Sequence, residues 1–222
     1  EDYEYGPISQ ALTQFATVDL SSFYNDISKD RLYTFAPRSR ERRSGQTALY
    51  LMADGLTRLM APILSFTADE VWRFLPAERE ESVHIAVFPQ PAELDAFADP
   101  DLLQRWSRLV ALRERVVAEI EPLRKDKKIG SSLQAKVVLT AAPGDFAFLR
   151  QYEKHLPMLF IVSEVELSAG AAEEGAPAIA IARADGVKCE RCWRIVPAVS
   201  SEPASAGLCE RCQDALAETV HG

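Results

Sequence analysis

Cys189-Glu-Arg-Cys192 and Cys209-Glu-Arg-Cys212 hold all four cysteines of this 222-residue sequence, as two identical hooks sixteen residues apart. Each C-x-x-C closes a tight turn that offers two sulfurs on one side, and the stretch between the hooks can fold back to bring the pairs together. Four thiolates so placed suit one tetrahedral Zn²⁺, with bonds of about 2.3 Å. Between the hooks lie Pro197, Pro203, Gly207 and several Ser and Ala residues, with few large apolar side chains. A metal must therefore supply much of the folding energy there. Two disulfides would suit an exported chain, but no signal peptide or long apolar run is present. A redox C-x-x-C would need one hook at a strand-to-helix junction, not a matched pair. With sulfur in every position no ligand site stays open, so Cys189, Cys192, Cys209 and Cys212 are predicted to hold one structural zinc.

Working outward, 47% apolar and 26% charged residues describe an ordinary globular chain. Nothing approaches the length of a membrane span. A formal net charge of −8 argues against nucleic-acid binding driven by bulk charge, though a local basic face stays open. The absence of an initial Met suggests a processed or excised piece of something longer.

The first ninety residues read as helices. Pro7 opens a stripe of Ile8, Leu12, Phe15 and Val18, continued by Phe23, Tyr24 and Ile27. An arginine-rich loop from Pro37 to Arg43 interrupts it. Leu49, Leu51, Met52, Leu56, Leu59, Met60 and Ile63 form the next stripe, broken near Pro62. Thr67-Ala-Asp-Glu70 has the pattern of a capping box ahead of Val71, Trp72, Phe74 and Leu75. Ser82 to Phe88 alternates as a short strand would. The expectation is a helical bundle. Lys29, Arg31, Arg38, Arg42 and Arg43 crowd one region and could bind phosphates, or could be a solvated loop.

Further on, Asp99 and Pro100 read as an N-cap and first-turn proline. From Leu102 to Leu123 runs a long amphipathic stripe, which Pro122 should kink or end. The cations of Arg124-Lys-Asp-Lys-Lys128 suit a helix C-terminus, with an RNA-facing role as second choice. Leu133 to Thr140, Leu159 to Leu167 and Ala178 to Ala182 read as strands, Phe146 to His155 as a helix, and Gly170 to Pro177 as a flexible surface connection.

Three strings together resemble the anticodon-binding helical domain of isoleucyl-tRNA synthetases: Asp19-Leu-Ser-Ser-Phe-Tyr-Asn-Asp-Ile-Ser-Lys-Asp-Arg-Leu-Tyr33, Gln46-Thr-Ala-Leu-Tyr50 and Ala61-Pro-Ile-Leu-Ser-Phe-Thr-Ala-Asp-Glu-Val-Trp72. The Cys-Glu-Arg-Cys-Trp193 motif and its second hook resemble the zinc tail of the bacterial-type enzymes. A similar tail ends one group of DNA glycosylases, but those begin with a catalytic Pro-Glu, unlike Glu1-Asp-Tyr3.

The resemblance implies a mainly α chain: a helical-bundle anticodon-binding domain over residues 1–90, a long helix with a small α+β connecting domain over 91–183, and a four-cysteine zinc-finger tail over 184–222. It implies a cytoplasmic, monomeric ligase that attaches isoleucine to its tRNA using ATP, this part gripping the anticodon stem and loop. Trp193 is the preferred stacking residue, with packing against the zinc turn as the equal alternative. Arg191 and Arg194 flank it as phosphate or base-edge candidates, and the cations around Lys29 and Arg38 are the bundle-side candidates. The His-Ile-Gly-His and Lys-Met-Ser-Lys-Ser signatures of the class do not occur, and His84, His155 and His221 lie far apart. ATP therefore belongs to a catalytic part outside these residues, and no adenylate formation is expected here. The alternative functions are a zinc-stapled protein-interaction module and a glycosylase tail.

Overall fold

The computed structural model describes residues 4–220; Glu1 to Tyr3 and the last two residues, His221 among them, lie outside that range. The chain divides into two compact units, one of Glu1–Leu32 with Arg38–Asp99, the other of Tyr33–Pro37 with Pro100–Gly222.

The first unit is helical. Helix α1 (Tyr5–Gln14) runs into a π-helical stretch, Phe15–Asn25, and then α2 (Asp26–Thr34). The Ser22 hydroxyl donates to the Thr17 carbonyl five residues back at 2.7 Å. The expected apolar stripe is not a continuous buried face: Ile27 is buried, but Ile8 in α1 and Phe15 and Val18 in the π-helical stretch are exposed. Ser39 caps α3 (Arg40–Met60), its hydroxyl accepting the Arg42 N–H at 3.3 Å. Arg40, Arg42 and Arg43 therefore stand in a helical first turn, not in the loop expected of them.

After Met60 the chain turns at Pro62, and the Leu64 carbonyl accepts the Ala68 N–H to start α4 (Ser65–Phe74). Thr67 is already inside that helix, so the expected capping box does not form. Ala61, Ala68, Trp72 and Val83 make a core cluster of this unit. The Trp72 indole N–H donates to the Glu80 carbonyl at 2.9 Å, and the Arg79 guanidinium lies 4.4 Å from the ring centroid.

Ser82 to Phe88 is not a strand. Ser82 donates to Asp69 at 2.6 Å and accepts the His84 N–H at 3.3 Å, winding Val83–Ile85 into a 3-10 turn. Val83 is buried while Ile85 and Val87 are exposed, and among the described residues no neighbouring strand takes up the backbone. A second 3-10 segment, Pro91–Phe97, carries Glu93. Its carboxylate receives two bonds from Arg58, at 3.2 and 2.7 Å. That pairing, with the Gln90 backbone N–H, pulls the Glu93 carboxyl down to about 2.

In the second unit α5 (Pro100–Lys125) buries Leu109, Leu112, Val116 and Ile120 along one face. The helix continues past Pro122 rather than ending there. It stops where Lys127 turns left-handed, with Lys127 N–H bonded to Arg124 O and Lys128 N–H to Leu123 O. That is a Schellman arrangement with lysine in the usual glycine place.

Strand β1 (Ala135–Ala141), α6 (Pro143–Arg150), α7 (Leu156–Phe160), β2 (Glu164–Ala169) and β3 (Ala178–Arg183) follow. The sheet order is β2-β1-β3, with β1 parallel to β2 and antiparallel to β3. Ala135, Val137, Leu139 and Ala141 face the buried side. Lys136 turns outward to pair with Glu164 at 2.9 Å and Glu166 at 2.8 Å. Leu159 to Ser163, against the expectation of a strand, is the end of α7 and a turn. Leu156, Leu159, Phe160 and Val162 are all buried, and Ile161 ends the helix in a left-handed conformation. The expected helix from Phe146 stops at Arg150 and resumes as a 3-10 turn at Glu153–His155. The connection after Gly170 is fixed, not slack. Gly175 N–H donates to the buried Asp145 at 2.6 Å, and Glu174 accepts the Gly144 N–H at 3.0 Å.

Candidate metal centre and nucleic-acid interface

Gly186 leads into a two-stranded hairpin, β4 (Val187–Lys188) against β5 (Ile195–Val196). Its φ of +129° suits only glycine, and a Cβ there would sit 2.2 Å from the Val196 carbonyl oxygen. The hairpin tip is the first hook: Trp193 N–H closes back on Cys189 O, and Cys189 N–H on Arg194 O, each at 2.9 Å. The second hook opens α8 (Glu210–Val220), with the N–H groups of Cys212 and Gln213 both bonded to Cys209 O at 3.0 Å. Gly207 joins the hooks, its carbonyl accepting the Glu190 N–H at 3.0 Å. One hydroxyl ties this hairpin to the sheet region: Ser163 Oγ donates to Leu133 O at 2.5 Å and accepts the Ile195 N–H at 2.7 Å.

All four thiols are free and buried, and their sulfurs lie within 4.8 Å of one another. Cys192 Sγ and Cys209 Sγ are 3.8 Å apart. A tetrahedron with metal–sulfur bonds of about 2.3 Å has edges of about 3.8 Å, so the donor set fits one Zn²⁺. Val196, Val199 and Leu208 pack around it.

Electrostatics divide the thiols. Burial opposes ionisation of Cys189, but backbone N–H groups of Cys192, Cys209 and Arg191 outweigh it and bring that thiol down to about 6. Burial pushes Cys212 up to about 12, against the pull of Arg191. Burial likewise raises Cys209. A bound cation would reverse the last two.

Trp193 stands outward, 60% exposed, in a left-handed conformation with φ of 63°. Lys188 Nζ lies 5.4 Å from its ring centroid. Arg191 donates to Thr34 O at 2.5 Å, Tyr33 O at 3.3 Å and Cys212 Sγ at 3.7 Å. Arg194 is half-buried beside β5. These three share the metal turn.

The bundle-side residues belong to the first unit. Lys29 pairs with Asp26 at 2.9 Å. The Arg31 stem lies close against Gly45 of α3, where a Cβ would meet Arg31 Cδ at 3.3 Å, less than a turn beyond Arg42 and Arg43. Arg38 and Arg43 are exposed, Arg42 half-buried. Sequence reasoning missed Lys188 and Arg211. Arg211 occupies the same place in the second hook as Arg191 in the first, which is the signal that could have found it; its guanidinium lies 5.1 Å from the Phe35 ring centroid.

Residues 1–139 match the family model of the anticodon-binding domain of tRNA ligase, and residues 186–215 that of the zinc finger found in FPG and IleRS. The chain belongs to the anticodon-binding domain family of tRNA ligases. Among its relatives is the isoleucine–tRNA ligase of Syntrophotalea carbinolica, 43% identical over 98% of this chain and 24% of that protein. The corresponding ligase of Geobacter sulfurreducens is 42% identical over 97% of this chain and 24% of its own length. That of Bacillus cereus is 38% identical over 98% and 24%. The chain thus spans about a quarter of the length of these curated relatives. Among the described residues no helix is long and apolar enough to cross a membrane.

Proposed function

We propose that this chain is the part of an isoleucine–tRNA ligase that grips the anticodon stem and loop of its tRNA. The observation that carries the reading is the exposed Trp193, set directly on a turn of buried, converging thiols, in a chain whose first 139 residues match an anticodon-binding family. Unpaired loop bases can be splayed out and stacked on an aromatic side chain held rigidly from behind. One structural Zn²⁺ on Cys189, Cys192, Cys209 and Cys212 would supply that rigidity; Lys188 adds positive charge beside the ring. Arg191 and Arg194 flank it as phosphate or base-edge contacts. Lys29, Arg31, Arg38, Arg42 and Arg43 form the bundle-side set. In this reading residues 1–90, 91–183 and 184–222 serve as bundle, connector and metal tail. ATP is used elsewhere in a longer, cytoplasmic, monomeric ligase, and these residues form no adenylate alone.

Filter binding of the 222-residue protein to isoleucine tRNA, with an anticodon-mutated competitor, tests the reading. Preferential binding of the natural anticodon is expected; equal or absent binding to both at low salt would instead favour a protein-interaction module. Base–aromatic stacking contributes roughly 1–3 kcal/mol. Trp193→Ala should therefore weaken binding about 5- to 150-fold with metal content unchanged. Loss of metal in that variant would assign Trp193 to packing.

A further inference from the structure

Beside the metal turns opens a cleft of about 560 Å³, between β5 with its following loop and the first turn of α8. Its apolar side is supplied by Val196, Pro197, Ala198 and Val199. Cys192 and Cys209 also line it, so the converging thiols fix its shape from within. Trp193 takes no part in it. Apolar walls with a few convergent polar groups, in a volume of about 300–1,000 Å³, characterise sites for a compact organic ligand.

The polar lining narrows the ligand class. Arg194, Arg211 and Glu210 line it, two cations to one carboxylate on a chain of net charge −8, with the Arg211 guanidinium also 5.1 Å from the Phe35 ring centroid. Guanidinium groups suit phosphate oxygens and base carbonyls, and a carboxylate accepts from an exocyclic amine. Gln213 is already committed within the tail: it accepts from Ser205 at 3.2 Å and donates to Leu208 O at 3.2 Å, so it shapes the cleft rather than reads a ligand. An apolar wall together with guanidinium and carboxylate groups matches a nucleotide better than an aliphatic or purely anionic ligand.

We propose that this cleft takes one unpaired nucleotide of the bound RNA, its base against the Val196–Val199 wall and its phosphate toward Arg194 and Arg211. The proposal rests on the RNA-binding function argued above and adds a second nucleotide position to the tail, separate from Trp193.

The test uses the 222-residue protein and isoleucine tRNA carrying 4-thiouridine in the anticodon loop. Photo-cross-links mapped by peptide mass are expected within residues 194–200 or 210–213. Ala198→Trp, which places bulk in the cleft wall, should weaken tRNA binding about tenfold while zinc content by mass spectrometry stays at the wild-type level. Cross-links confined to other residues, or an Ala198→Trp affinity within twofold of wild type, would overturn the cleft and leave the anticodon function standing. Should Ala198→Trp lose its metal, the cross-link positions alone decide. Absence of binding by the wild-type protein would remove both readings together.

Discussion

Replacing Gly186 with alanine should weaken zinc binding by about two orders of magnitude. At φ of +129° a β-carbon would lie 2.2 Å from the Val196 carbonyl oxygen and 2.8 Å from its carbon. Neither atom belongs to a flexible side chain; both are backbone of the strand that pairs with β4. Residues forced into a glycine-only region cost about 1–3 kcal/mol, and overlap with backbone argues for the upper end. Because the tail has so little apolar core, its folding and its metal binding share one free energy. About 3 kcal/mol then reads directly as a roughly hundredfold weaker Kd. The measurement is competition for zinc against a chromophoric chelator at fixed pH. Gly207→Ala is the internal comparison. Its φ is +77°, but the nearest atom is Glu190 Cδ at 2.8 Å, at the end of a side chain that can swing away. There the left-handed penalty of about 1–2 kcal/mol stands alone, for a loss of roughly tenfold. A Gly186→Ala affinity within threefold of wild type, or a larger loss at Gly207, would refute the reasoning.

Three other outcomes follow from the same structure. Trp72→Ala removes the largest side chain of the α3–α4 core and its bond to Glu80, and should destabilise the helical unit by about 3–5 kcal/mol; thermal melting followed by circular dichroism checks this, and an unchanged midpoint would count against it. Glu93 ionises more readily folded than unfolded, so its bonds to Arg58 stabilise fully above its ordinary value of 4.5 and are lost as pH falls toward about 2. Acid titration of Glu93→Gln should thus match wild type near pH 2 and be less stable above about pH 5; equal stability at neutral pH contradicts the assignment. Cys189→Ser or Cys209→Ser should open the chain to proteolysis after Gly186 while helical dichroism falls only slightly, and a global loss of helix would contradict a separately folding tail.

Much of this is legible in the residues because the signals are local. Pro100 opens α5 where expected, the cations before Gly130 mark its end, and the hook spacing foretells four sulfurs close enough to share a metal. What misleads is pattern without partner. Ser82 to Phe88 alternates, yet a strand needs a neighbour, and Ser82 gives its hydroxyl to Asp69 and His84 instead. Leu159 to Val162 is apolar throughout, with Leu159, Phe160 and Val162 buried, and a short apolar run of that kind does not distinguish strand from helix. Thr67 and Glu70 carry a capping signature, but the turn at Pro62 has already begun the helix from Leu64. Nothing in the apolar spacing announces the π-helical winding of Phe15–Asn25. In the tail, Arg191 and Trp193 are visible through their motif, whereas the cleft beside α8 depends on how the two hooks close and has no counterpart in linear order.

Ser163 has one further meaning. Its single hydroxyl gives its proton to one side and its lone pair to the other, so one side chain joins the metal hairpin to the start of the sheet, beside the Arg191 bonds to the Thr34 and Tyr33 carbonyls. Alanine at this position would leave both knuckles intact yet remove one of the arm's moorings, separating a well-made hand from a well-aimed one.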